Sequence, residues 1–256
     1  MAPTISREEL IDCWLREEQQ PFAGWDFSYL DGRMDGGRES WSYLERAAEL
    51  MAHSSSVLDM DTGGGEKLLG LRDHWPAKVV ATEGYPPNLK LASKRLSASG
   101  ARVVRAELSD TAPMPFAGGE FDLVLNRHAA FNPSEVGRVL SPGGVFLTQQ
   151  VHGMWAWDLL DAFDAEPQWP DANPEKYVPL LEAAGLTVVT LEEWEGRLVF
   201  SDVGAIVYYL KATPWEVPGF SVKTHLRYLL ALQERVEAGG DLAFYAAKYL
   251  IEATKP

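Results

Sequence analysis

The 256 residues include one cysteine, Cys13, which excludes an internal disulfide and a zinc site built on cysteine pairs and suits a reducing compartment. No stretch approaches the ~20 apolar residues of a membrane helix. The run from Val203 to Leu210 is short and flanked by Asp202 and Lys211. Positive charge is scarce, with 23 Lys+Arg against 37 Asp+Glu and a net charge of −14. A field of that sign repels phosphate, which argues against a general nucleic-acid or anionic-lipid binder. The opening MAPTISREEL has no apolar core behind basic residues, so no secretory signal is expected and the cytoplasm is the expected location. Repeats and low-complexity tracts are also lacking. What is present is 46% hydrophobic content, enough for the core of one large domain or a domain with an appendage.

The chain opens with Ser6-Arg-Glu-Glu9, a capping box that predicts a helix to about Glu18. An aromatic, glycine-rich loop follows, and then a helix from about Trp41 to Met51 with Trp41, Leu44, Ala48 and Met51 on one face. From there apolar strands alternate with helices. Strands are expected at Val57–Met60, Lys78–Glu83, Arg102–Leu108, Phe121–Asn126 and Val145–Val151, and helices at Glu66–Arg72, Pro87–Ser99 and Ser134–Leu140. Such alternation implies a parallel sheet covered on both faces. The segment after Val151, with Trp155, Trp157 and Trp169 among prolines and acids, reads as an inserted cap. Beyond it come a helix at Pro174–Ala184, a strand at Thr187–Leu191, helices near Asp202–Leu210 and Thr224–Glu237, and a last strand at Leu242–Glu252.

The sharpest feature is VLDMDTGGGEKL, residues 57–68: an apolar strand, an acid at its end, a glycine turn and a helix. Such a turn lets backbone N–H groups approach a ligand at the carboxyl edge of the sheet. A dinucleotide fingerprint starting at Gly63 and Gly65 would need glycine where Leu68 stands, so the spacing speaks against a nicotinamide cofactor. Twenty residues beyond Gly63, at the end of the next strand, Glu83 is placed to accept hydrogen bonds from ribose hydroxyls, which points to a nucleoside ligand.

Taken in order, VLDMDTGGGE, ATEGY, SDTAPMPF, GGEFDLVLNRH and EVGRVLSPGGVFLTQQ resemble the motifs of class I S-adenosylmethionine (SAM)-dependent methyltransferases, of the type 11-like kind. The resemblance covers roughly residues 57–151. It implies an α/β fold: a doubly wound, seven-stranded, mostly parallel sheet whose last strand is antiparallel. Residues 1–53 would form an N-terminal helical lid, and residues 54–256 the methyltransferase domain with a cap inserted at about 152–173. It further implies SAM as cofactor and S-adenosylhomocysteine as product. The first motif would contribute Asp59, Gly63, Gly64 and Gly65, the second the ribose acid Glu83 with Gly84, and the third Ser109 and Asp110, with Glu107 close enough to take the adenine role instead. Tyr85 and Asn88 either flank the adenine or belong to the Pro-Pro turn and helix cap. One departure stands out: Asp61 occupies the family's first glycine position. Its carboxylate either meets the cationic end of SAM or marks a degenerate relative.

After the fourth strand the residues are Asn126-Arg127-His128-Ala129, without the Asn-Pro-Pro-Tyr signature that related enzymes use to hold a planar amino group. Asn126 and Arg127 fall at the cofactor edge. His128 is a candidate general base, and His152 has a similar claim, because an imidazole titrates near neutral pH. Trp25, Tyr29 and Trp155 lie where relatives build a lid and acceptor pocket, although Trp25 and its neighbours equally suit a core anchor for the N-terminal helix. The expected activity is methyl transfer to a small-molecule acceptor by a monomer or homodimer, with no membrane partner and no metal. An RNA methyltransferase and a non-catalytic SAM-binding regulator are the alternatives.

Overall fold

The computed structural model describes residues 6–256 other than Gly24. The chain runs α1 (Arg7–Glu18), β1 (Met34–Asp35), α2 (Tyr43–Ala52), β2 (Ser56–Met60), α3 (Glu66–Gly70), β3 (Lys78–Glu83), α4 (Pro86–Ser97) and β4 (Arg102–Arg105). It continues with β5 (Phe121–Arg127), α5 (Pro133–Val139), β6 (Leu140–Val151), α6 (Trp157–Asp161) and α7 (Pro174–Ala183). Last come β7 (Thr187–Phe200), α8 (Val203–Ala212), α9 (Leu226–Glu237) and β8 (Leu242–Thr254).

The central strands are apolar on both faces because consecutive residues must enter opposite cores. Val57, Val79, Leu123 and Leu147 pack under α2, α3 and α4. Their neighbours Leu58, Val80, Val124 and Phe146 pack under α5 and α7 on the other face. The sheet order is β1-β7-β8-β6-β5-β2-β3-β4. β2 to β6 are parallel, and β8 runs antiparallel to both β6 and β7. Apart from the two-residue edge strand β1, this is the doubly wound seven-stranded sheet expected from the motifs. α1 starts at the expected capping box, with Ser6 Oγ accepting from the Glu9 N–H and the Glu9 carboxylate accepting from the Ser6 N–H.

Two strands depart from expectation. β4, at the sheet edge, ends at Arg105 rather than Leu108, because beyond it only Ala106 reaches back to β3, through a 3.4 Å bond to the Glu83 carbonyl. β7 runs to Phe200 rather than stopping at Leu191. Its acidic stretch Glu192-Glu-Trp-Glu195 lacks strand propensity, and pairing with β8 along its whole length supplies the order instead. Charges spaced along a strand whose outer edge is paired, among the described residues, only at Val199–Phe200 also disfavour edge-to-edge pairing.

The overhang has a structural consequence. β8 pairs with β6 from Lys248 to Thr254 but with β7 from Leu242 onward, so the β7–β8 ribbon projects past the sheet. A separate core forms on that projection from Trp14 of α1, Leu159 and Leu160 of α6, nearly all of α8, and Leu229 and Leu232 of α9. This second core roofs the carboxyl ends of the parallel strands. α2, by contrast, packs on the sheet with Ala47 and Met51 and not in the roof. No helix among the described residues is long and apolar enough to cross a membrane.

Candidate active site

Between the carboxyl ends of the parallel strands and the roof lies a cleft of about 1560 Å³. Its floor begins at the turn after β2. Asp61 has φ +48°, Gly63 +65° and Gly65 +82°. Left-handed backbone disfavours most side chains, and Asp and Asn tolerate it best after glycine. Asp61 can thus stand where the family has glycine without breaking the turn. Its N–H donates to Thr82 Oγ1 at 3.0 Å and the Thr62 N–H donates to the Thr82 carbonyl at 2.9 Å, which fixes the turn against β3. Of the three glycines only Gly63 lines the cleft. A Cβ on Gly65 would stand 2.9 Å from Leu96 of α4, so this glycine serves close helix packing, and the Gly64 carbonyl accepts from Arg95 at 2.8 Å.

Glu83 ends β3 with only 5% of its surface exposed and lines the cleft. Its Oε1 accepts the Tyr85 N–H at 2.7 Å. Burial raises its pKa, opposed by hydrogen bonds from the backbone of Tyr85, Gly63 and Gly84 and from the Asn88 side chain. One carboxylate therefore ties together the turns after β2 and β3. Beside it, burial pushes Asp59 up to about 6, and burial with the charges of Glu83 and Asp59 pushes Asp61 up to about 7. Three carboxylates gathered in this way favour a cation. No group of three His, Cys, Asp or Glu side chains arranged for a metal occurs among the described residues.

Other candidates fall on the same cleft. Gly84, Tyr85, Asn88, Ser109 and Asp110 line it at the β3–β4 edge, where Glu107 also faces it. Arg127, His128 and His152 line it beyond β5 and β6. The His152 Nδ1 accepts the Met154 N–H at 3.0 Å, which leaves Nε2 as the donor of the neutral ring. Trp25 stands over the glycine turn, its Cδ1 3.3 Å from where a Gly63 Cβ would be, and its ring lies 5.5 Å from that of Trp215.

Asn126 and Tyr29 do not reach the cleft. Asn126 is wholly buried beneath it, its Oδ1 accepting from Thr148 Oγ1 at 2.9 Å and from Gln150. Tyr29 packs its ring on Tyr208 at 4.6 Å on the outer side of the roof.

Trp155 lines the cleft as well, while Tyr209, Trp215, Glu216 and Lys248, which also line it, escaped the sequence reading. Trp155 donates its indole N–H to Tyr209 Oη at 3.0 Å, and Tyr209 donates to Glu216 Oε1 at 2.6 Å. Burial pushes Glu216 up to about 7. Lys248 of β8 lies over Trp155 and Trp194 and pairs with Glu39 at 3.1 Å. The one signal for the roof pair was a Trp-Glu dipeptide between prolines at 214–218, which carries no spacing rule.

Comparison with known proteins agrees with this arrangement. The methyltransferase-domain family model matches residues 57–144, the segment that builds the cleft floor. An uncharacterised methyltransferase of Synechocystis is 29% identical over 177 residues, covering 63% of this chain and 80% of that protein. The demethylmenaquinone methyltransferase of Thermus thermophilus is 35% identical over 112 residues, 40% of this chain and half of that one. A candidate methyltransferase of Bacillus halodurans shares the fold, with a TM-score of 0.59 at 20% identity over 83% of this chain and 97% of that one. With these motifs in order along the sheet, residues 57–144 carry a methyltransferase domain, and the chain is similar to the class I SAM-dependent methyltransferases.

Proposed function

We propose that the cleft binds SAM with its ribose on Glu83 and its methionine end above Asp61 and Gly63, and that the methyl group passes by in-line displacement to a small molecule under the roof. The observation that carries this reading is Glu83 itself, a nearly buried carboxylate at the end of β3 that joins both turns while facing the cleft. The acids at Asp59 and Asp61 suit the positive charges of SAM, and Gly63 leaves the floor open, so the residues present fit the cofactor. Asp110 or Glu107 would meet the adenine edge. When bound, SAM supplies a methyl group on a sulfonium, whose leaving group is a neutral thioether. The protein's share is then orientation and exclusion of water, provided by the roof with Trp25, Trp155 and Trp215. The cleft exceeds the roughly 300–1,000 Å³ of a pocket for one ligand, in keeping with a cofactor and an acceptor side by side.

Calorimetry tests the cofactor assignment: SAM and S-adenosylhomocysteine should both bind the wild type, and absence of binding by either would refute it. The small-molecule reading rests on the charge of −14. RNA affinity should be negligible at physiological salt, and a specific complex weakening steeply with added salt would favour the RNA alternative.

Asp61 gives a sharper test. If its carboxylate meets the cationic end of SAM, Asp61→Gly should preserve the left-handed turn yet reduce the preference for SAM over the neutral thioether product by ~1 kcal/mol. Equal tightening of both ligands would instead make Asp61 a steric burden and favour the regulator reading.

A further inference from the structure

His128 leaves β5 with φ +58°, and its backbone N–H donates to the Gln149 carbonyl at 2.9 Å. Its ring Nε2 lies 3.1 Å from Nε2 of the same Gln149, whose side chain is buried in β6. At its other end the amide meets the indole nitrogen of Trp41, 2.8 Å from Oε1. An indole N–H only donates, so the amide atom facing Trp41 is the oxygen. The atom facing His128 is then the amide nitrogen, which also only donates. The imidazole must offer Nε2 as a lone pair, and the proton of the neutral ring sits on Nδ1. Arg127 on β5 and Lys248 on β8, the charged groups around the ring, both oppose a second proton, as does burial. Each of them has an acidic neighbour: Lys248 pairs with Glu39, and Arg127 acts on Asp59. Nδ1 has no hydrogen-bond partner among the described residues, and His128 lines the cleft.

We infer that Trp41 and Gln149 are positioning residues that hold His128 as the Nδ1–H tautomer, so that His128 serves the cleft as a hydrogen-bond donor to a carboxylate or carbonyl oxygen of the acceptor molecule. The role differs from the proton acceptor expected from residue type alone, since the only lone pair on the ring is already occupied. His128 then neither takes nor releases a proton while the methyl group moves. The tautomer stands on the protein's own hydrogen bonds; the acceptor class rests on the methyl-transfer reading of the cleft.

Nitrogen-15 NMR of the labelled histidines, with His128→Asn identifying the resonance, reads the tautomer directly. The wild type should show a neutral ring protonated on Nδ1 with no titration between pH 5.5 and 8.5. Gln149→Glu replaces the donor by a carboxylate that must accept from both neighbours. It should move the proton to Nε2 and raise the midpoint by roughly 1–3 pH units, the effect of an adjacent opposite charge. Trp41→Phe, which only unlocks the amide, should give a mixture of tautomers. An Nε2–H tautomer, or a midpoint near 6.5, in the wild type would overturn the inference whether or not either variant folds.

Benzoate and benzyl alcohol, titrated onto the protein in S-adenosylhomocysteine, probe the donor. Benzoate should shift the Nδ1 proton downfield and lose about tenfold in affinity in His128→Ala, a loss in the range of one charge-assisted hydrogen bond. Equal binding of the two probes, unchanged by that variant, would overturn the acceptor class. Failure of the methyl-transfer reading shows separately, as absence of S-adenosylhomocysteine binding with the tautomer intact.

Discussion

Replacing Glu83 by alanine should weaken SAM and S-adenosylhomocysteine alike, by ~1.5–3 kcal/mol or roughly 10–150-fold, the range for a hydrogen bond to a charged group. Both ligands carry the same ribose, so a loss confined to one of them would move Glu83 away from the sugar. The variant has a second effect, because the carboxylate also accepts from Tyr85 and holds the turns after β2 and β3. Its removal leaves the part-buried Tyr85 N–H without this partner, so the melting temperature of the ligand-free protein should fall as well. Glu83→Gln, which keeps one acceptor oxygen, should recover part of both. Unchanged affinity in the alanine variant would remove Glu83 from the site.

Stability of the ligand-free protein should fall as pH rises from 5 to 8, opposite to the behaviour of a protein held by ion-paired carboxylates. Asp59, Asp61 and Glu216 have folded pKa values of about 6, 7 and 7, above those of the unfolded chain, chiefly through burial. A carboxyl raised in this way stabilises the fold while protonated. That contribution is fully present below about pH 4 and is lost as pH passes the folded value. Carboxylates with lowered values, such as Asp202 beside Arg33 and Glu135 beside Arg138, act in the opposite sense, but only near and below pH 4. His128, kept neutral in the fold, acts in the opposite sense between pH 5 and about 6.5, where the unfolded chain takes up its proton. Allowing for this, for coupling among the acids and for water in the cleft, the net loss between pH 5 and 8 is on the order of 1–3 kcal/mol. That is a fall of roughly 5 °C in melting temperature for a chain of this size. SAM should oppose the fall, because a cation beside Asp59 and Asp61 favours their ionised forms. Its affinity should accordingly increase with pH, with protons released on binding. A melting temperature that is flat or rising across this range would show that these acids are ordinary in the folded state.

The sheet and the floor of the cleft were legible because their physics is local. Pairs such as Val57 and Leu58 declare a strand buried on both faces, and a left-handed turn needs glycine or a tolerant aspartate at fixed offsets. The place of Glu83 on the cleft was legible from its distance along the chain to Gly63. The roof was not. Its long strand β7 carries an acidic stretch that takes its order from β8, and α8 is apolar all round, so no stripe announces which side meets the cleft. The state of His128 was equally out of reach, since it depends on Trp41, 108 positions from Gln149. Asn126 and Tyr29 were misplaced for the converse reason, because a residue at a strand end or in an aromatic cluster can face either way.

Because the roof grows out of the last two strands of the sheet, it and the floor can answer to different evolutionary pressures. The turns after β2 and β3 are fixed by Thr82, Glu83 and Leu96, all in the first half of the chain. Apart from α1, α6 and the segment around Leu30, the roof comes from one contiguous stretch that leaves β7 and returns on β8. Segmental exchange or drift in that stretch would redraw the ceiling over a constant floor, provided the strand pairing at its base is kept. The family model's match stops at residue 144, ahead of the stretch. Under the function proposed above, a library randomised between 201 and 241 would thus vary the acceptor side of the cleft and leave the donor side unchanged.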